Sequence, residues 1–186
     1  AMIGDHCIAA IGDAYIKGVR NFDIEKAYEA MRKNAFESPA NEKDYQNGMG
    51  RRALQSYLKY GYIPLEDSVP DAFHTKEQVS RTLEYAYDDF VLSQVAKQLQ
   101  KNEDYKLLSV RAQNYRNVID PQTGYAQGRY ADGTFLKEQN AFLFAKFITE
   151  GAPCHYTWYV PHDPYGLMEC MGGKEKFALK LDSMFS

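Results

Sequence analysis

The sequence predicts an all-α fold of antiparallel helical hairpins separated by long turn-rich loops. Three observations carry that prediction. Apolar residues recur every three or four positions over most of the chain, the spacing that lines one face of a helix. The two longest periodic runs are joined by only three residues, which brings consecutive helices back against each other. The helical period is lost only where Asp-Pro, Thr-Gly, Gln-Gly and Asp-Gly dipeptides mark turns.

Taken in order, Ile8, Ile11 and Tyr15 place a first helix within residues 5–18, with Gly18 as its stop. Asp23 is placed to cap a second helix whose inner face is Ile24, Ala27, Met31 and Ala35, with Glu25 in the first turn where the helix dipole favours an acid. Pro39 follows its end. The polar run 38–50 reads as a loop, and Leu54, Tyr57 and Leu58 mark a short third helix closed by Gly61. Residues 62–74 hold two prolines and read as an ordered loop. Val79, Leu83, Ala86, Phe90, Val95 and Leu99 form the stripe of the longest helix, started by Ser80 or by a capping box over residues 75–78. Asn102 is expected to cap its partner, whose face is Tyr105, Leu108, Ala112, Tyr115 and Ile119. Residues 120–147 form a long excursion with a small hairpin ending at Asp132-Gly133. Gly172-Gly173 opens a last helix with Phe177, Leu181 and Met184 inward.

At 186 residues the chain suits a single domain with a real core. A net charge of -3 gives no basic footprint for nucleic acid. No apolar run approaches the roughly 20 residues of a membrane span, and the N-terminal stretch lacks the pattern of an export signal. Cys7, Cys154 and Cys170 have no metal-type spacing and suggest no disulfide framework. Fifteen tyrosines supply flat apolar faces with hydroxyl handles, which suits a polar-ligand cleft and half-buried helix faces alike.

The most unusual stretch is residues 148–163. It gathers Glu150, His155, His162, Tyr156, Trp158, Tyr159, Pro153 and Pro161 into sixteen positions. A carboxyl group beside a Gly-x-Pro turn, followed by rings, is what a sugar-cleaving site needs: rings stack on sugar faces and shield the acid, and burial raises its pKa. The same composition also fits a capped turn leading into an aromatic helix.

Several segments together resemble glycoside hydrolase family 92, the calcium-dependent exo-acting α-mannosidases. They are Ile3-Gly4-Asp5-His6 followed by Asp13-Ala14-Tyr15 and Lys17-Gly18; Gly61-Tyr62-Ile63-Pro64; the run from Ser80 to Asp89; Arg111-Ala112-Gln113-Asn114-Tyr115-Arg116-Asn117; Thr149-Glu150-Gly151; and the run from His155 to Asp163. Met171-Gly172-Gly173-Lys174 is a weaker match. The resemblance implies part of an (α/α)6 toroid, with the preceding β-sandwich and the end of the toroid absent, so that the chain would be a single-domain fragment of the catalytic domain. It implies an inverting α-1,2-mannosidase that releases mannose from mannose-containing glycans. Glu150 matches the general acid, and Asp5, His6, His155 and Tyr156 would contact the sugar. Calcium would hold sugar hydroxyls through ligands outside this chain. No position here matches the base carboxylates, so the chain alone is expected to be inactive. Apolar faces left uncovered would favour self-association. Cys154 stands where the family usually has tryptophan, which removes a ring close to Glu150.

Plainer roles stand beside these. Asp5 and His6 also suit a helix N-terminus. Glu84, Asp88 and Asp89 read as structural, with Glu84 and Asp88 one turn apart facing water or basic neighbours. His162-Asp163 reads as a helix-ending network, Trp158 as core, and Cys7 and Cys170 as packing. The alternative functions are a non-catalytic helical sugar-binding or interaction module, and another (α/α)6 carbohydrate-active enzyme.

Overall fold

The computed structural model describes residues 3–68 and 74–185. Nine α-helices are formed among them: α1 (Cys7–Ile16), α2 (Ile24–Phe36), α3 (Glu42–Gln46), α4 (Leu54–Tyr60), α5 (Gln78–Gln98), α6 (Asn102–Arg111), α7 (Pro153–Tyr156), α8 (Pro164–Cys170) and α9 (Lys174–Ser183), with a 3-10 helix at Asn114–Val118. The described residues contain no β-strand, only two isolated antiparallel bridges, Ile119 with Ala126 and Arg129 with Phe135. The all-α expectation holds.

Six helices, α1, α2, α4, α5, α6 and α9, form where the apolar spacing placed them, while the short α7 and α8 are additions that no apolar stripe announced. Asp23 accepts the Lys26 N–H at 3.0 Å and starts α2, which buries Tyr28, Met31 and Ala35. Gly18 and Gly61 lie in the left-handed region at φ 97° and 73°, where a residue without Cβ ends a helix at no steric cost. Within the polar run 38–50 the chain makes one turn more than expected: Asn41 accepts the Asp44 N–H at 2.9 Å and caps α3. That helix buries nothing, so no apolar period announced it.

α5 is the axis of the fold. Sixteen of its twenty-one residues are buried, on every face, where the sequence had suggested a single stripe. Its second half packs with α1, α2 and α6 around Ile8, Met31, Leu92, Val95 and Leu108. Its first half packs with the 3-10 helix and the segment 145–171 around Leu83, Tyr115, Ile148 and Leu167. A smaller group, Leu54, Tyr57, Ile63 and Tyr85, joins α4 to it.

A helix buried all round must also satisfy its polar groups. Thr82 Oγ1 accepts the Ile63 N–H at 3.0 Å and donates to the Gln78 carbonyl at 2.8 Å. The first turn of α5 has no side-chain cap; Glu77 precedes it at φ 50°. Instead the N–H groups of Glu77, Val79 and Ser80 donate to the Lys146 and Phe147 carbonyls at 3.1, 3.1 and 3.3 Å. The capping expected from Ser80 or residues 75–78 is thus replaced by backbone from the long excursion, because burial leaves those N–H groups without water.

Three further expectations are corrected. Asn102 lies inside α6 rather than capping it, since Lys101 holds the cap position with no side-chain bond. The α6 face continues inward as predicted, with Leu108, Ala112, Tyr115 and Ile119 all buried, but the α-helix ends at Arg111 and a 3-10 helix carries the rest. α9 turns only Phe177 toward the core; Leu181 and Met184 are each 37 % exposed, because α9 packs chiefly on α8 and has no layer on its other side. The hairpin at residues 129–135 is formed around Asp132-Gly133, with the Tyr130 N–H on the Thr134 carbonyl at 2.8 Å.

The centre of α5 carries a charge cluster. Asp89 is fully buried and is held by Arg111 Nε and Nη2 at 2.8 and 3.0 Å, by Arg51 Nη1 at 2.6 Å and by the Tyr57 hydroxyl at 3.1 Å. Arg111 Nη1 also donates to the Ala35 carbonyl at 2.9 Å, which ties α2 to α6 through α5. Removing one partner of such a group strands the others. Asp89→Ala is therefore expected to cost about 3–5 kcal/mol, against less than about 1 kcal/mol for Asp13→Ala in the exposed Asp13–Lys17 pair. Urea denaturation of the two variants measures the contrast, and equal losses would contradict it.

Candidate functional site

One turn beyond the α5 N-terminus, Glu84 and Asp88 occupy the same face, and both are buried. An (i, i+4) acid pair on a helix ordinarily turns to water, yet here three residues from two segments close over it. Asp88 Oδ2 accepts the Asp5 N–H at 2.9 Å. The His6 ring lies across both acids, Nε2 at 3.1 Å from Glu84 and Nδ1 at 3.4 Å from Asp88. The Tyr156 hydroxyl donates to Glu84 Oε1. The expectation that these acids face water is corrected, while that of a basic neighbour is met by His6.

The electrostatics follow from that packing. Hydrogen bonds to Asp88 and Glu84 raise His6 to about 10 against the opposing effect of burial, so the ring is an imidazolium at neutral pH. Asp5 is raised by burial, opposed by Arg51, whose Nε stands 3.4 Å from Asp5 Oδ2. Burial and the Glu84 carboxylate push the Tyr156 hydroxyl up, and Tyr159 follows for the same reasons. Gly4 is required here by close approach: a Cβ would collide with Glu84 Oε2 and the His6 ring.

The site is continued by rings. His155, Tyr156, Trp158 and Tyr159 line an open depression of about 340 Å³. Tyr159 stands between Tyr156 at 6.0 Å and His6 at 6.3 Å, centroid to centroid. Trp158 packs edge-on against Phe177 at 5.3 Å and donates from Nε1 to the Cys154 carbonyl at 2.8 Å, so it is half in the core, as expected, and half at the depression. The exposed His155 accepts the Ala152 N–H on Nδ1 at 3.3 Å, which fixes its ring at the start of α7.

Of the residues singled out by sequence, His6 and Tyr156 meet on Glu84, Asp5 reaches the same group through Asp88, and His155 joins by way of the rings. Glu150 stands apart. It is exposed at φ 52° and lines a different depression of about 350 Å³ with Lys76, Glu77, Phe144 and Lys146. The shielding by rings expected around it is not formed, because Tyr156 turns to Glu84, Trp158 to Phe177 and Tyr159 to His6. Its left-handed backbone costs about 1–2 kcal/mol for a residue with a Cβ. The turn is held by the Ala145 N–H on the Gly151 carbonyl at 3.2 Å and the Thr149 N–H on Ser80 Oγ at 2.9 Å.

Other readings resolve as structural. Asp163 starts α8 rather than ending a helix: it accepts the Gly166 N–H at 2.9 Å and the Tyr115 hydroxyl at 2.7 Å. His162 stacks on Phe90 at 5.3 Å, and burial lowers its pKa. Cys154 is buried, Cys170 half-buried and Cys7 exposed, because the inner face of α1 runs through Ile8 and Gly12. Sequence reasoning gave Glu84 and Asp88 only a structural role. The signal available was an acid pair in a helix too apolar to face water, but its partners lie more than seventy residues away in the chain.

Known proteins share this fold. Residues 1–186 match the profile of the glycosyl hydrolase family 92 catalytic domain. An uncharacterized secreted glycosidase of Arthroderma benhamiae is 29 % identical over 96 % of the chain and 26 % of its own length. Among solved structures, a family 92 α-mannosidase of Bacteroides thetaiotaomicron superposes with a TM-score of 0.84 at 38 % identity, over 100 % of this chain and 22 % of its own. An inverting family 92 mannosidase of the same species gives 0.86 at 36 % identity, over 99 % and 24 %. The helical hairpins described above are thus those of the family's helical toroid, and the chain spans about a quarter of the length of these relatives.

The His6 contacts carry a pH dependence. A folded value of about 10 against an ordinary 6.5 means the ring is held in its charged form by folding, so its stabilisation is complete below pH 6.5 and is lost as pH rises toward 10. The stability difference between the native chain and His6→Gln should therefore be largest below pH 6.5 and shrink through this window, read as Tm against pH. Parallel curves would show that the contacts are not formed in solution.

Proposed function

The chain belongs to glycosyl hydrolase family 92, and we propose on that premise that it is part of the catalytic region of an inverting α-1,2-mannosidase acting on mannose-containing glycans. The observation that carries this reading is the match over the whole chain, joined by 38 % identity to a solved α-mannosidase.

Glu150 is assigned the general acid, protonating the departing glycosidic oxygen. Its exposed carboxyl on a rigid turn suits a group that must reach a bond lying outside this chain's surface. Inversion requires a second carboxylate to activate water on the opposite sugar face, about 6.5–9.5 Å away. The family-like motifs of the chain supply no such carboxylate, so turnover by the chain alone is not expected. Asp5, His6 and Tyr156 are assigned to sugar binding as one unit, since all three are fixed by the Glu84–Asp88 pair; His155 would offer its ring to a sugar face beside Trp158. Calcium does not fit the residues present. Among the described residues no three of His, Cys, Asp and Glu group to hold a metal ion. Glu84 and Asp88 are already engaged by His6, Tyr156 and the Asp5 N–H.

A second reading, a non-catalytic sugar-binding module, is favoured by one observation: none of the rings of residues 155–159 lines the depression that holds Glu150. An α-linked mannose disaccharide with calcium separates the two. The chain is expected to release no mannose, and mannose is expected to raise its Tm. Release that falls by about 10²-fold or more in Glu150→Gln would establish the acid and overturn the inactivity. Neither release nor a Tm shift from a folded chain would overturn sugar binding.

Self-association is proposed through the outer face of α6, where Leu107 and Val110 are 48 % and 70 % exposed. Light scattering should find mass above the monomer that falls on Val110→Lys; a clean monomer at millimolar concentration would refute it.

A further inference from the structure

We propose that a second cavity, beside the first turn of α5, binds an oxyanion: a phosphate, sulfate or carboxylate group carried by a small ligand. The cavity holds about 330 Å³, at the lower end of the range for small-molecule sites, roughly 300–1,000 Å³. Arg52 and Arg81 enter it from different elements, with Tyr85 and the backbone of Gly48 and Gly50 completing the wall. None of the described residues that line it is acidic.

The donors are what distinguish it. Arg81 is 1 % exposed; Nη1 donates to the Lys76 carbonyl at 2.8 Å and Nη2 to the His74 carbonyl at 2.6 Å, while Nε is buried and meets no acceptor. Arg52 Nη2 donates to the Gln46 carbonyl at 3.4 Å, and its Nη1 is likewise buried with no acceptor. A buried donor without a partner is costly, and both of these belong to side chains that line one small cavity, so an anion entering it would satisfy them once the guanidinium groups turn toward it. Guanidinium groups in a fixed fork suit an anion with several oxygens. The nearest opposing charge is Glu77, whose Oε2 lies 3.5 Å from Arg81 Nη2 without lining the cavity. It offsets Arg81 in part.

This cavity meets the site described above only at Gly4, and its role does not depend on Glu150. Its failure would leave the mannosidase reading standing. The test is calorimetric titration of the chain with sodium phosphate against sodium chloride at matched ionic strength. Saturable phosphate binding is expected, with the Gly48 and Gly50 amide resonances shifting in step. Arg52→Gln should weaken it at least tenfold, and Lys17→Gln, at an exposed pair elsewhere, should not. Sulfate and acetate arms separate a tetrahedral from a planar anion, and tighter binding of a hexose 6-phosphate than of phosphate would place the anion on a sugar. Absence of saturable binding, equal binding by Arg52→Gln, or shifts confined to other residues would each overturn the proposal.

Discussion

Everything in this chain depends on keeping three carboxylates of one helix buried. Glu84, Asp88 and Asp89 sit at the middle of α5, and an uncompensated buried charge costs several kcal/mol. The surrounding elements are placed where they neutralise it. α4 contributes the Tyr57 hydroxyl, the turn before it contributes Arg51, α6 contributes Arg111, and the residues leading into α1 contribute His6 and the Asp5 N–H. Apolar packing could tolerate small rotations of these helices about α5. The directed bonds to Asp89 and Asp88 do not, which fixes how the hairpins meet.

The same helix organises the loops through its unpaired N-terminus. Backbone carbonyls of Lys146 and Phe147 take the first N–H groups of α5, and Ser80 takes the Thr149 N–H. The chain must then turn sharply, and Glu150 is the residue that absorbs the turn in a left-handed conformation. A strained residue with an exposed carboxyl is thus anchored by its neighbours' backbone to the longest helix of the structure.

The rings and ions of the site are shared between binding and structure. Tyr156 bonds Glu84 and also borders the aromatic depression, so the acid pair that holds α5 to its neighbours also fixes the ring that faces solvent. Stability and the shape of the depression are therefore coupled, and a change at His6 is felt at both. Beside Gly4, Arg81 closes the turn before α5 by two of its nitrogens and also lines the arginine-walled cavity.

By itself the sequence determined the helices and their pairing, because the 3.6-residue period of apolar side chains and the Asp23, Gly18 and Gly61 boundary signals are local. It also determined the family through short ordered motifs. It did not reveal α3, which has no buried face, nor the break after Arg111, where the apolar spacing continues but the backbone tightens. Only the tertiary structure decided that Glu84 and Asp88 face His6 and Tyr156 instead of water, and that the rings leave Glu150 uncovered. The physical reason is the same for both. The protonation and direction of a charged side chain are set by partners far away in the chain, brought within about 3 Å only when the hairpins close on α5.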